Sequence, residues 1–233
     1  MENNERKLTF VDHLDELRKR IIISLSAVLI GTITTYTFKE HLYNLITTPI
    51  SGKLVYLTPT EAFLAYIKIS IIGGVVIASP IILYQIWRFV SPAFLWKERK
   101  YLILFLPFVF ILFICGICFG YFILGSAIKF LLSFGNDNLK PMISIGSYIS
   151  FTLILLLSCG IIFEMPAIAF LLGKLSILNS QVMRKQWKYA MLGCFIIAAI
   201  ITPSPDMFTQ IIVALPMVAL YEISIWLVKL ANK

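Results

Sequence analysis

Charge is the scarcest thing in this sequence. Only 14% of its 233 residues are charged, and only twelve residues are Asp or Glu. Histidine occurs twice, at His13 and His41. Cysteine occurs four times, always inside apolar runs. Cys115 and Cys118 have C-x-x-C spacing, but no ligand-rich cluster accompanies them. All four therefore read as small packing residues, and neither a disulfide nor a metal is expected. No glycine-rich phosphate loop is present, so nucleotide chemistry has no site, and no cofactor is expected. Lys and Arg exceed Asp and Glu, for a net charge of +8. They are scattered between apolar runs and make no continuous stripe, which excludes a nucleic-acid interface. What the chain has instead is 59% apolar residues and a mean hydropathy of +0.90. A soluble fold of this size could not hide that much apolar surface, so this is a membrane protein.

Six apolar runs read as spans, residues 21–38, 67–87, 101–124, 149–172, 190–201 and 211–228, and all but the fifth have about the length a bilayer needs. No cleavable signal peptide is expected, because the first run starts at residue 21 without a clean small-residue cleavage site. Five basic residues precede the first span, four lie between 88 and 100, four between 173 and 189, and two in the tail. All of these fall on one side. The other side has only Lys39, Lys53, Lys129 and Lys140, with Lys68 near a span end. Positive residues mark the cytoplasmic side, so both termini are predicted to be cytoplasmic. The four tryptophans also cluster at that side.

The fifth run is anomalous. Twelve helical residues rise only about 18 Å, against a hydrocarbon core of roughly 30 Å. The turn Thr202-Pro-Ser-Pro-Asp206 then forbids continuation. The chain is expected to reverse below the far surface, where the bilayer thins or water enters. Pro80, Pro107, Pro166 and Pro216 lie inside spans and predict bends. The expected fold is an all-α membrane protein of six spans, a curved, glove-like bundle in which helices five and six are short. No repeat or separate soluble domain interrupts it, so residues 1–233 read as one polytopic domain. Thr58-Pro59 predicts a helix start.

The candidate functional residues are carboxylates in unusual places. Glu16 follows His13 in a helix whose Leu8, Val11, Leu14, Leu17 and Ile21 share one face, with Thr9 and Asp12 at capping-box spacing. The plain reading of that helix is an interfacial anchor with a mixed-charge wet face. Glu98 stands among Lys97, Arg99 and Lys100, where a lone Glu usually just balances charge. Glu16 and Glu98 share a side of the membrane, so each could receive a guanidinium in bidentate fashion. Glu164 lies about 12 Å inside the fourth span, where a carboxylate costs a few kcal/mol unless it finds a partner, water or a proton. It is either a groove or proton-binding residue, or a protonated structural carboxyl. Asp206 is either a polar group at the depth of the far leaflet or a cap for the last helix. Glu222 reads as structural.

Five segments carry a resemblance: His13-Leu-Asp-Glu-Leu-Arg18; Thr58-Pro-Thr-Glu-Ala-Phe63; Phe89-Val-Ser-Pro-Ala93 with Glu98-Arg99; Phe163-Glu-Met-Pro166; and Thr202-Pro-Ser-Pro-Asp206 through Gln210. In this order on six spans, with the fifth short, they resemble the TatC family of twin-arginine translocase subunits along nearly the whole chain. The resemblance implies a signal-peptide receptor that exports folded proteins using the proton gradient, and not an enzyme. It implies that Glu16 and Glu98, with Arg18 and Arg99 beside them, bind the two signal arginines. Glu164, with Pro166 and Asp206, would line an intramembrane groove. Thr202 and Gln210 would dock single-span TatB and TatA subunits, in a complex that also holds further copies of this chain and membrane lipid. A departure is Arg99-Lys100, where many relatives have two arginines; charge is kept but donor geometry changes. The membrane implied is the bacterial inner membrane, with a thylakoid or mitochondrial membrane as the alternative.

Two other classes compete. A proton-coupled transporter of a small solute could use Glu164, but such proteins normally have a broken helix or inverted repeats near the midplane, and the sequence shows neither. An intramembrane aspartyl-type protease would need Glu164 and Asp206 within hydrogen-bonding reach, and the two fall at different depths.

Overall fold

The computed structural model describes residues 10–50, 54–91, 96–133, 142–202 and 207–231, with side chains of 10–12, 96–104 and 131 excluded. The described residues form helices only, apart from a single bridge pair. In chain order they are α1 (Phe10–Thr37), α2 (Lys39–Thr47), α3 (Pro59–Val90), α4 (Trp96–Leu132), α5 (Ile145–Phe163), α6 (Met165–Lys174), α7 (Ser180–Lys185), α8 (Trp187–Ile201) and α9 (Met207–Ala231). Five segments are long and apolar enough to cross a bilayer, with α5 and α6 forming one of them, and α8 is the shorter apolar helix. Successive spans alternate in direction. One end of the bundle therefore carries α2, and the other carries α7, the start of α1 and the end of α9.

The expected helix starting at Thr58-Pro59 is present: Thr58 is extended and Pro59 occupies the first turn of α3. One expectation needs correction. The sixth helix is not short, since α9 has 25 residues. Pro80, Pro107 and Pro216 lie inside helices that continue past them, in α3, α4 and α9. The fourth span is interrupted at one residue in the αR region, Glu164: α5 stops at Phe163 and α6 starts at Met165. Pro166 supplies no backbone N–H, so the i→i−4 ladder fails there and Glu164 becomes a junction residue. The short fifth helix stands: α8 has 15 residues, about 22 Å, still less than the hydrocarbon thickness. The turn after it, residues 203–206, lies outside the described residues, and so does Thr9 of the proposed capping box.

Close helix approach needs small residues, because lipid supplies no hydrophobic force between helices. The tightest crossing joins α1 to α3, where a Cβ on Gly31 would sit 2.7 Å from the Gly74 carbonyl oxygen. Thr35 at this crossing donates its hydroxyl to the Ser70 carbonyl at 2.7 Å. A second tight crossing joins α4 to α5, with Gly116 against the Cys159 carbonyl and Gly160 against Phe113. At the α2 end, Tyr121 and Tyr148 donate hydroxyls to the carbonyls of Leu45 and Ile46, at 2.8 and 2.6 Å. These bonds satisfy the open carbonyls at the C-terminus of α2. Nearby, Val55 pairs with Ser144. Glu61 accepts hydrogen bonds from the backbone N–H of Leu57 and Gly146 and from the Ser144 hydroxyl. One carboxylate thus ties the first turns of α3 and α5.

Candidate functional site

At the α7 end, α1 and α3 meet through polar groups. The His13 ring stacks on Phe89, with centroids 4.4 Å apart and planes 18° off parallel. Two turns along α1, Arg20 lies across Glu16: its Nε donates to Glu16 Oε1 at 3.1 Å, and its Nη2 bonds the same oxygen. Arg20 Nη1 donates to Gln85 Oε1 of α3 at 3.1 Å. The Arg20 side chain is 12% exposed and that of Glu16 is 26% exposed. Glu16 is therefore a half-shielded carboxylate with one oxygen already held, and its other oxygen has no hydrogen-bond partner among the described residues. Beside it, Leu17, Ile21 and Leu25 of α1 and Ile82, Ile86 and Phe89 of α3 wall a crevice of about 350 Å³ that also borders Arg20 and Gln85.

Arg18, Lys19 and Asp15 are exposed on the outer face of α1. Glu98 and Arg99 lie in the first turn of α4, nine and ten residues past Phe89; their side chains fall outside the description. The backbone thus brings the segments containing Glu16 and Glu98 to one end of the bundle. Sequence reasoning missed Arg20, Gln85 and the His13–Phe89 stack. Gln85 left a signal, as an uncharged polar residue near the end of an apolar run, and it is buried.

Deeper in the bundle, Glu164 is 7% exposed at the α5–α6 break, and its Oε1 has no hydrogen-bond partner among the described residues. Pro166 is fully buried beside it. A broken helix was not expected from the sequence, yet it occurs at the intramembrane carboxylate. Asp206 lies outside the described residues. Thr202 is buried, and its hydroxyl donates to the Ala198 carbonyl at 2.9 Å, ending α8. Gln210 donates its amide to the Phe195 carbonyl at 3.0 Å, tying α9 to α8. Both residues therefore also serve the α8–α9 hairpin internally.

A family profile described as the Sec-independent protein translocase protein TatC matches residues 12–216. The chain belongs to the TatC family. A TatC from Carboxydothermus hydrogenoformans is 44% identical over 229 residues, covering 97% of this chain and 94% of its own. A TatC from Aquifex aeolicus is 41% identical, covering 97% of each. A TatC-like protein from Gracilaria tenuistipitata var. liui is 39% identical, covering 99% of this chain and 98% of its own. A crystal structure of the twin arginine translocase receptor TatC superposes with a TM-score of 0.83 at 41% identity, over 95% of this chain and all of that one. The same receptor in a second crystal structure, in DDM, gives a TM-score of 0.84. Each segment that carried the resemblance thus lies within the stretch matched by the TatC family, and the chain is a multi-pass membrane subunit of the twin-arginine translocase. The break at Glu164 therefore sits in a TatC fold and not in the inverted-repeat architecture of a small-solute transporter.

Proposed function

We propose that this chain is the receptor for twin-arginine signal peptides, acting by binding and not by catalysis, within a translocase driven by the proton gradient. Glu16 and Glu98 form one receptor site, flanked by Arg18 and Arg99. The observation that carries this reading is the half-shielded Glu16, held beside the end of α3 by the Arg20–Gln85 relay. A carboxylate that keeps one oxygen open can take a guanidinium by charge-assisted hydrogen bonding. The apolar crevice between α1 and α3 supports accommodation of the hydrophobic stretch that follows the two arginines. Glu164, Pro166 and Asp206 line the deeper groove.

The α7 end faces the cytoplasm, because the basic loops fall there. The membrane is the bacterial inner membrane. TatB and TatA dock on α8 near Thr202 and Gln210. Support comes from α8 packing chiefly on α9 while leaving Leu192, Ile196 and Ile200 exposed. The 1–233 chain acts as one domain, and several copies assemble in the complex. The test is a titration of the purified protein with a twin-arginine peptide and its twin-lysine variant. The lysine peptide should bind more weakly, since an ammonium cannot make the planar fork. Equal affinities would overturn the receptor reading.

A further inference from the structure

Around α7 and the last two turns of α9 the structure has a second cluster of charge, away from Glu16. A cavity of about 810 Å³ is lined by Ser180, Gln181, Arg184, Lys185, Trp226 and Lys229, among others. Arg184 Nη1 donates to both oxygens of Glu222, at 2.8 and 2.9 Å. Its Nε and Nη2 donate to no group among the described residues, and Lys185 and Lys229 have no ion-pair partner among them. Three cations thus face one space against a single carboxylate that already serves one of them. Trp226 is 66% exposed on the same wall. It stands one turn before Lys229, where an apolar helix meets a charged end, the usual depth of interfacial aromatic residues. Trp226 and Ile223 are both exposed and follow at helical spacing on the span side of Lys229, an apolar track leading away from the cations.

The geometry points to a binding site for the phosphodiester headgroup of an anionic membrane phospholipid, held by Arg184, Lys185 and Lys229, with its acyl chain along Trp226 and Ile223. Basic pockets between spanning helices at the positive side of a membrane take such headgroups. The apolar track favours a lipid over a free phosphate, because a soluble anion would gain nothing from it. The Arg184–Glu222 pair engages Nη1 and leaves Nε and Nη2 of this cavity-lining guanidinium as open donors among the described residues. The site is separate from the receptor site and does not depend on it.

The test uses full-length protein in phosphatidylcholine vesicles doped with either brominated phosphatidylglycerol or brominated phosphatidylcholine. Tryptophan quenching is read in the protein and in Trp226→Phe, and the difference isolates Trp226. Brominated phosphatidylglycerol should quench Trp226 at lower mole fraction than brominated phosphatidylcholine. In K185Q/K229Q that selectivity should fall by roughly five-fold for each lysine removed, and K185R/K229R should retain it. A helical circular-dichroism spectrum unchanged in the glutamine variant shows that its loss is not unfolding. Equal quenching by the two lipids, or undiminished selectivity in K185Q/K229Q, overturns the assignment. Displacement of the quenching by millimolar soluble glycerol phosphate would also overturn it, in favour of a free-phosphate site.

Discussion

Removing Glu16 should do more harm than removing Glu16 and Arg20 together. Arg20 is only 12% exposed, and its charge is met by Glu16 and by the neutral Gln85. In Glu16→Ala the signal arginine loses a charge-assisted contact, roughly 1.5–3 kcal/mol where water is partly excluded. It also meets an uncompensated guanidinium. That repulsion is about 1 kcal/mol at 4 Å in bulk water and about 4 kcal/mol at an effective dielectric of 20. Taking the lower figures, the loss is about 2.5 kcal/mol, or roughly 70-fold in affinity. Glu16→Ala with Arg20→Gln removes the repulsion as well as the contact. Binding should therefore recover by about 1 kcal/mol or more, at least five-fold over the single variant. The assay is fluorescence anisotropy of a labelled twin-arginine peptide against the unmutated protein, Glu16→Ala and the double variant, at low and moderate salt. The single-variant deficit should shrink as salt screens the exposed part of the interaction. A double variant that binds no better than Glu16→Ala would show that Arg20 exerts no such repulsion, and the relay would be packing alone.

Gly74→Ala should loosen the α1–α3 crossing, because the new Cβ would lie 2.4 Å from Thr32 Oγ1 and 2.6 Å from the Thr32 backbone nitrogen. Overpacking of this kind costs roughly 1–3 kcal/mol, read as a lower Tm in detergent; an unchanged Tm would mean the helices separate freely there. Glu164→Gln should leave insertion and peptide binding intact and slow transport, since it keeps shape and hydrogen-bonding capacity but loses the ionisable proton; full transport in inverted vesicles would show that ionisation at Glu164 is not needed. Cysteines placed at Asn4 or Asn232 should resist an impermeant thiol reagent in sealed cells and react after lysis; labelling from outside would reverse the orientation.

Class, number of spans and the short fifth helix were legible in the residues alone. Hydropathy along the chain decides what can sit in lipid, and the distribution of Lys and Arg is a property of loops that needs no packing to read. Glu16, Glu98 and Glu164 stood out for the same reason, as carboxylates where solvation is poor or the surroundings are basic. The helix start at Thr58-Pro59 was local chemistry, and so was the block at Pro166, where the sequence suggested a bend and α5 gives way to α6. The length of α9 was underestimated, because hydropathy marks the apolar stretch and not where backbone hydrogen bonding stops. Only the tertiary structure decided which side chains meet. The Arg20–Gln85 bond spans 65 positions and the Glu61–Gly146 bond spans 85. Each depends on how far one helix is rotated and slid against another, and close contacts at Gly31, Gly74, Gly116 and Gly160 set that register. A one-dimensional pattern shows which face of a helix is polar; it does not contain the rotation that turns Glu16 toward Arg20 and α3 and leaves Arg18 in the open.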